Sequence, residues 1–569
     1  MNRSAAVCVT LLLAFVPTVA GPARAAGRAR TIDVVERSIP ELQRALTSGE
    51  LTSHELVAAY LQRIALYEDR LNAILAVNPE ALRLADELDR ERAAGRVRGP
   101  LHGIPIAVKD NIQTLDMPTT GGALAFAGFV PPYEATLVAN LRAAGAVVVA
   151  KTQLTELANW VATGMPTNYN GLNGYGFNPY DPRRDPRPAT GDGRPVLATG
   201  GSSSGTGTAA SFWAANVGTE TSGSILSPAS ANLLVGIKPT VGRISRYGII
   251  PITADQDTAG PMARTVTDAA ILLGALEGSA PDPHDAATGR CPAPAGHDYT
   301  KFLDREALRG ARIGIPRAYF YEETKVPGEE APAGGLDPGR RAVMDDAIAT
   351  LRRLGATVVD PVEIPSISAT AAGDSLLSWG VCSGLDDARG QDADCSIVFK
   401  YGMKRDFTSW LASLGPAAPV RSLSELRQWN VAHQKMNAIR YGQALLDISD
   451  EMDVALDRER YEADRARDLR LSREQGLDAV FAEQRLDAVL FPANWGAGIA
   501  AKAGYPTVLV PGGFFPATGG ADYPAGFEPL PSPMGVSFTG LACSEPRLIA
   551  LAYAFEQATR HRIPPPQFP

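Results

Sequence analysis

Short apolar runs of strand length alternate along the chain with longer stretches of helical periodicity. The runs at residues 104–108 and 146–150 are rich in β-branched side chains, and each ends at a lysine, Lys109 and Lys151. Residues 137–144 have helical spacing before the second run, and a glycine stops them. Strands that alternate with helices favour a sheet covered by helices, so the pattern predicts an α/β fold.

The second half of the chain continues this alternation. Residues 312–315 and 356–359 predict strands on either side of a helical stretch at 343–354, and residues 486–491 and 507–510 predict two more strands. A length of 569 residues fits several domains or one large α/β enzyme. The sequence shows no repeat, and we predict a single large domain over residues 26–569.

The N-terminus has the organisation of a secretory signal peptide. Arg3 precedes an apolar stretch at residues 5–16, which is too short to span a membrane, and residues 23–25 read Ala-Arg-Ala. We predict that residues 1–25 are removed on export to the periplasm or the medium, which leaves no stable membrane anchor.

Export places the cysteines in an oxidising compartment. The mature chain keeps four of them, and Cys382 and Cys395 are close enough in sequence to close a small loop with each other; the other two are Cys291 and Cys543. Four cysteines allow three complete pairings, and buried free thiols are an equally good interpretation.

Charge and histidine placement exclude two classes of protein. The net charge of −8 and the absence of a basic excess argue against a nucleic-acid partner. The six histidines are scattered, without an HExxH motif, so no histidine-based metal site is expected.

Two glycine-rich segments with serines stand close together in the sequence. Residues 200–205 read GGSSSG and residues 218–225 read GTETSGSI. Glycines let backbone N–H groups point at a bound group, so a serine among them has the surroundings that acyl transfer needs. Lys109 can act as the base if burial lowers the pKa of its ammonium group.

Together with these segments, the chain contains GPLHGIPIAVKDNI at 99–112, GIKPTVGRISRYGIIP and DQDTAGPMAR. These motifs resemble those of the amidase-signature family, and bacterial peptide amidases most of all. The resemblance covers a signature core at about 99–270 and a C-terminal segment at about 486–565. It implies an α/β fold in which helices cover a central mixed β-sheet.

The resemblance also implies a Ser–cis-Ser–Lys triad. Ser224 matches the nucleophile, Ser202 matches the bridging serine with its cis peptide bond, and Lys109 matches the base. Ser203 matches a serine that supports the lysine. The backbone N–H groups that match the oxyanion hole belong to Thr221, Ser222 and Gly223.

In this scheme a neutral Lys109 takes the proton of Ser224 through Ser202 while Ser224 attacks the amide carbonyl. Water then hydrolyses the acyl-enzyme, and no metal or cofactor is required. The expected activity is hydrolysis of a linear carboxamide C–N bond in a small-molecule or peptide substrate. We expect peptide C-terminal amides or other primary amides as substrates. Aryl or alkyl amides or esters are the alternative hypothesis.

Three departures from the family pattern qualify this assignment. The spacer between Ser202 and Ser224 is about two residues shorter than usual, which would turn a helix by about 200°, so Ser203 and Ser204 are alternative bridging residues. Ser222 stands where many members have glycine or aspartate. Leu226 stands where many have arginine, which argues against a tRNA-dependent amidotransferase subunit.

Two loops are candidates for the substrate wall. The first, at residues 163–201, contains Asn168, Tyr169 and Tyr175, and the second covers residues 512–533. The sequence gives no indication of the oligomeric state.

Two other interpretations remain open. Residues 201–205 also satisfy G-x-S-x-G, the nucleophile elbow of α/β-hydrolases, with Ser203 as nucleophile and a downstream histidine as base. The other interpretation is a non-catalytic exported binding protein.

Overall fold

The computed structural model describes residues 32–201, 203–384, 394–517 and 523–569. Both the predicted signal peptide at 1–25 and Ser202, with its expected cis bond, therefore lie outside the described residues. The strands of the described chain are β1 (Ile74–Val77), β2 (Pro105–Lys109), β3 (Val147–Thr152), β4 (Tyr169–Asn170), β5 (Gly174–Tyr175), β6 (Ala215–Glu220), β7 (Val235–Lys238), β8 (Thr258–Ala263), β9 (Arg312–Gly314), β10 (Glu323–Lys325), β11 (Pro332–Gly334), β12 (Thr357–Val359), β13 (Ala488–Pro492), β14 (Thr507–Phe515) and β15 (Ser532–Thr539).

Eleven of these strands form one sheet in the order β1-β3-β2-β6-β8-β7-β14-β15-β13-β9-β12. Strands β3, β2 and β6 are parallel, and so are β13, β9 and β12. The strands between these two groups pair antiparallel. The sheet is therefore mixed, as predicted.

Helices cover both faces of the sheet. Every residue of β2, β3, β6, β7, β8 and β13 is buried, which requires cover above and below. Helices α6, α7, α8 and α17 pack on its central strands. The α-helices of the described chain are α1 (Ile39–Thr47), α2 (Ser53–Leu71), α3 (Ala81–Ala93), α4 (Thr136–Ala143), α5 (Thr206–Ala209), α6 (Leu226–Ala231), α7 (Val266–Leu276), α8 (Pro338–Arg353), α9 (Pro365–Ser368), α10 (Val398–Gly402), α11 (Thr408–Ser413), α12 (Leu423–Ala432), α13 (Ala444–Asp450), α14 (Arg458–Leu469), α15 (Asp478–Gln484), α16 (Ala497–Ala503) and α17 (Glu545–Thr559).

Residues Val34–Pro569 form one compact unit, and this single α/β body confirms the predicted fold class. The boundary at residue 26 stays a prediction. Among the helices of the described ranges, none combines the length and the apolar character needed to cross a membrane.

The structure contains two disulfides, which give the cysteine pairing that the sequence left open. Cys382 pairs with Cys395, and Cys291 pairs with Cys543 across 252 positions of sequence. The second bond ties the loop after α7 to the segment between β15 and α17.

Candidate active site

Strand β6 ends in the turn that carries the predicted nucleophile. Ser224 follows Glu220 by four positions, keeps part of its surface accessible, and lies two residues before the start of α6 at Leu226. Gly223 has a φ of +94°, a conformation that L side chains rarely adopt. The Glu220 carboxylate accepts the backbone N–H groups of Ile225 at 2.7 Å and Leu226 at 3.0 Å, so this glutamate fixes the turn.

The first glycine-serine segment packs directly on this turn. A Cβ added to Gly201 would lie 3.2 Å from the Cα of Ser224, and one added to Gly200 would lie 2.4 Å from the Cα of Pro228. The N–H of Gly201 donates to the Ser227 hydroxyl at 3.1 Å. The structure thus brings the two motifs together, and only glycine permits so close an approach.

Ser203 contacts the strand that leads into the turn. Its side chain is fully buried, and its hydroxyl donates to the carbonyl of Thr219 at 3.0 Å and accepts the Thr219 N–H at 3.2 Å. Gly201 and Ser203, the neighbours of Ser202, therefore contact Ser224 and Thr219. The buried Ser204 hydroxyl has no hydrogen-bond partner among the described residues.

Lys109 reaches the same threonine from the neighbouring strand. It ends β2, which runs parallel to β6, and its side chain is fully buried. Its Nζ donates to the Thr219 hydroxyl at 2.8 Å and to the Thr219 carbonyl at 3.4 Å. The amide of Asn111 donates to the same hydroxyl at 3.0 Å. Thr219 is thus the common partner of Lys109, Asn111 and Ser203.

Burial lowers the pKa of Lys109 to about 7, against the attraction of the Asp257 and Glu220 carboxylates, which raises it. A lysine with this pKa is largely neutral at slightly alkaline pH and can accept a proton. This is the condition that the sequence analysis set for a lysine base.

Asp257 is a functional candidate that the sequence analysis did not identify, although it lies in the quoted motif DQDTAGPMAR. Its carboxylate accepts the Thr221 hydroxyl at 2.5 Å, and the N–H groups of Ile252 at 2.9 Å and Thr253 at 3.0 Å. Burial raises the pKa of this carboxyl to about 7. The available signal was the pair of aspartates at the start of this motif, Asp255 and Asp257.

A cavity of about 340 Å³ opens beside Thr219 and Thr221. Its wall combines aromatic and aliphatic side chains with hydroxyl groups, three aspartates and one arginine. Representative lining residues are Tyr133, Ile250, Trp410, Arg246, Asp257 and Asp406.

The predicted substrate wall lies elsewhere. Asn168 is fully buried, and Tyr169 and Tyr175 pair in the β4–β5 hairpin, where both rings pack near Arg440. None of the three lines the cavity beside Thr219. Of the second loop, residues 512–533, positions 518–522 lie outside the described residues. A substrate role for either loop stays a prediction.

The remaining lysines of the signature segments make structural contacts. Lys151 forms an ion pair with Asp110 at 2.9 Å, and Lys238 donates to the carbonyl of Tyr505 at 2.8 Å.

The nucleophile-elbow interpretation has no support in this geometry. Ser203 is buried, and its hydroxyl makes hydrogen bonds to both the carbonyl and the N–H of Thr219. Each downstream histidine contacts a group away from Ser203, and these groups are Asp282 for His284, Glu277 for His297, Trp429 for His433 and Asp346 for His561.

Comparison with known proteins decides the family. The model of the Amidase family matches residues 55–548. The chain belongs to this family. A probable amidase of Arabidopsis thaliana is 33% identical over 545 residues, which cover 94% of this chain and 92% of the relative.

Solved structures agree. The native peptide amidase of Stenotrophomonas maltophilia is 38% identical and superimposes with a TM-score of 0.77 over 93% of this chain and 98% of that chain. A peptide amidase in complex with the competitive inhibitor chymostatin is also 38% identical, with a TM-score of 0.78 over 93% and 99% of the two chains. The protein is therefore an amide-hydrolysing enzyme, as predicted.

In the described ranges, no group of three or more His, Cys, Asp or Glu side chains is arranged to hold a metal ion.

Proposed function

We propose that this amidase hydrolyses C-terminal carboxamides of peptides, or other primary amides, through an acyl-enzyme on Ser224. The observation that carries the proposal is the contact between the buried Lys109 and Thr219. This contact ties a lysine of lowered pKa to the strand that ends in the Ser224 turn.

In the proposed reaction, neutral Lys109 accepts a proton that Ser202 relays from Ser224. The Ser224 oxygen bonds to the carbonyl carbon, and the backbone N–H groups of Thr221 to Gly223 stabilise the oxyanion. The relayed proton returns to the nitrogen as the C–N bond breaks, so a primary amide releases ammonia. Water then releases the acid from Ser224.

The assignment of Ser202 as the bridge rests on its neighbours. Gly201 contacts Ser224 and Ser203 contacts Thr219, and these contacts of the flanking residues support the choice of Ser202. Ser203 is committed to the backbone of Thr219, which disfavours it as the proton relay. Single alanine variants test this: S202A should lose far more activity than S204A, and the reverse would move the bridge to Ser204.

The choice of substrate rests on the peptide amidases that the fold resembles and on the cavity. Its volume of about 340 Å³ is within the range of small-molecule sites, and its aromatic and aliphatic walls suit a peptide side chain. Trp410 and Ile250 supply such surface beside Thr219.

We also propose that the enzyme is exported after removal of residues 1–25. The two disulfides support this, because such bonds persist mainly in oxidising compartments.

The test of function uses the chain that starts at Ala26, incubated with peptide amides, simple primary amides and anilides. Ammonia and amine are measured separately, with S224A in parallel. Ammonia from peptide amides that disappears in S224A would support the proposal. Amine release alone would move the substrate to secondary amides, and activity that survives in S224A would overturn the nucleophile.

A further inference from the structure

The turn that carries Ser224 is joined to the wall of the cavity through hydrogen bonds of Asp257. We infer that Asp257 is a positioning residue, which holds Thr221 and the oxyanion-facing amides that follow it in register with the cavity wall. The inference rests on the proposed acyl-enzyme mechanism, since it concerns the donors that this mechanism uses.

On the side of the turn, residues 256 and 257 form a clamp: each makes a hydrogen bond to a different polar atom of Thr221. The Asp257 carboxylate accepts the Thr221 hydroxyl at 2.5 Å, and the side-chain amide of Gln256 donates to the Thr221 carbonyl at 3.1 Å. Thr221 is itself buried. The Thr221 carbonyl and the Ser222 N–H belong to one planar peptide unit, and a rotation of that unit would break the bond to Gln256. The clamp therefore fixes the direction of the Ser222 N–H, the second donor of the predicted oxyanion hole.

On the side of the wall, the other carboxylate oxygen of Asp257 accepts the N–H groups of Ile252 and Thr253 at 2.9 and 3.0 Å. Ile252 lines the cavity. Thr253 packs so closely on α10 that a Cβ added to Gly402 would lie 2.3 Å from it. One carboxylate therefore joins the catalytic turn to a wall segment that is held by a helix.

The charge of Asp257 gives the inference a second readout. The charged groups that interact with it are Arg246, Asp406 and Lys109 of β2, and Glu220 of β6 also attracts Lys109. Ionised Asp257 raises the pKa of Lys109, so an uncharged residue at 257 lowers that pKa further. The rate that depends on neutral Lys109 should then begin to rise at a lower pH.

The experiment measures the rate at which an alkyl fluorophosphonate labels Ser224, from pH 5 to pH 9, by intact mass. In this probe reaction the serine oxygen displaces fluoride from phosphorus and gives up its proton, so it needs the nucleophile, the base and the oxyanion donors but no particular amide. Variants are T221V, T221S and D257N. D268N is the matched control, because Asp268 is also buried and also accepts a backbone N–H, that of Ile39.

We expect T221V to label Ser224 about 10- to 100-fold more slowly. On any amide that the enzyme turns over, kcat should fall with KM within about threefold, and T221S should restore most of the rate. In D257N, whose amide can still donate to Thr221, the rise of the labelling rate should move toward acid only over the pH range in which wild-type Asp257 is ionised, above about 7. D268N should show neither effect.

Labelling of T221V within twofold of the wild type, or a T221S variant that labels as slowly as T221V, would overturn the inference. If D257N does not fold, T221V decides alone, since valine has the shape of threonine. Normal labelling of Ser224 without turnover of any amide would refute the proposed function and leave the positioning test intact. A wild type whose Ser224 is not labelled would overturn both.

Discussion

Lys109 and Lys151 lie near the ends of two adjacent strands, yet they are held in different ways. Lys109 is the last residue of β2, Lys151 is the last but one of the parallel strand β3, and both side chains are fully buried. Lys151 forms an ion pair with the buried Asp110 at 2.9 Å and donates to the Thr119 hydroxyl at 2.7 Å. Lys109 donates to the hydroxyl and the carbonyl of Thr219, both uncharged.

The contrast shows that burial alone does not make a lysine a base. Burial lowers the pKa of both lysines, but the contact with Asp110 opposes that effect at Lys151. At Lys109 the opposing carboxylates of Asp257 and Glu220 act by electrostatic attraction, and the pKa falls to about 7. The charge of the hydrogen-bond partner separates a structural lysine from a proton acceptor.

The largest expected difference between the two lysines is in turnover. K109M should lower kcat by at least about 10³-fold, because the proton of Ser224 then has no acceptor. K151M should keep kcat within about tenfold of the wild type per folded molecule. Steady-state kinetics, normalised to the folded fraction by circular dichroism, measures both. Equal losses in the two variants would break the comparison.

For the free energy of unfolding, the order of the two variants should be reversed, with K151M the more damaged. K151M leaves Asp110 buried without its cation and should lower the free energy of unfolding by about 3–5 kcal/mol, while adding D110N should recover part of the loss. K109M should be more stable than the wild type at pH 7. Denaturant unfolding measures these differences, and a destabilised K109M would contradict the assignment of a buried lysine that is costly to ionise.

The size of this stability difference between K109M and the wild type depends on pH. The folded-state pKa of Lys109 is about 7, below its usual value of 10.5, so the unfolded chain binds more protons between these values. The stability of the wild type therefore rises with pH across that window. The advantage of K109M should be complete below pH 7 and vanish near pH 10.5.

Activity should rise with pH through about 7, because only neutral Lys109 accepts a proton. At pH 5 about 1% of a lysine with this pKa is neutral, so kcat/KM should lie about 100-fold below its alkaline plateau. K151M should show the same rise of activity with pH as the wild type. A profile that stays flat from pH 5 to pH 9, with chemistry limiting the rate, would remove Lys109 from its role.

The smallest effect concerns the partner of Lys109. T219V removes the hydroxyl that accepts its proton at 2.8 Å and should lower kcat about tenfold, since the lysine loses its orientation while the base remains. T119V removes the equivalent hydroxyl from Lys151 and serves as the matched control. A T219V enzyme as active as T119V would show that Thr219 only fills space.

The sequence predicted the fold well where strands are apolar and poorly where glycine or proline interrupts them. Strands β2 and β3 were found from their β-branched runs. Strands β6 and β8 lie next to each other inside the sheet but were missed, because Gly218, Gly260 and Pro261 weaken the strand signal. Pro261 pairs with Val217 of β6, and the pairing of β8 with β7 is confined to Met262 and Ala263.

The candidate site was predictable to the extent that its motifs are local. Lys109 and the Ser224 turn stand in segments that can be recognised one at a time. The contact from Lys109 to Thr219 spans 110 positions, and that from Thr221 to Asp257 spans 36, so only the folded chain shows them. The substrate wall was predicted from loop composition, which carries no information on which cavity a loop faces.

The strand order also determines when, during synthesis of the chain, the sheet can close. Strands β14 and β15, which are made last, lie between β7 and β13 and connect the two parallel groups. Until they emerge, β7 and β13 have no partner on their inner edges, and a nascent chain exposes two strand edges that can pair with other chains. The sheet can therefore close only after all other strands have been made, and a chain that ends before β14 would leave two unconnected half-sheets, however intact its catalytic motifs.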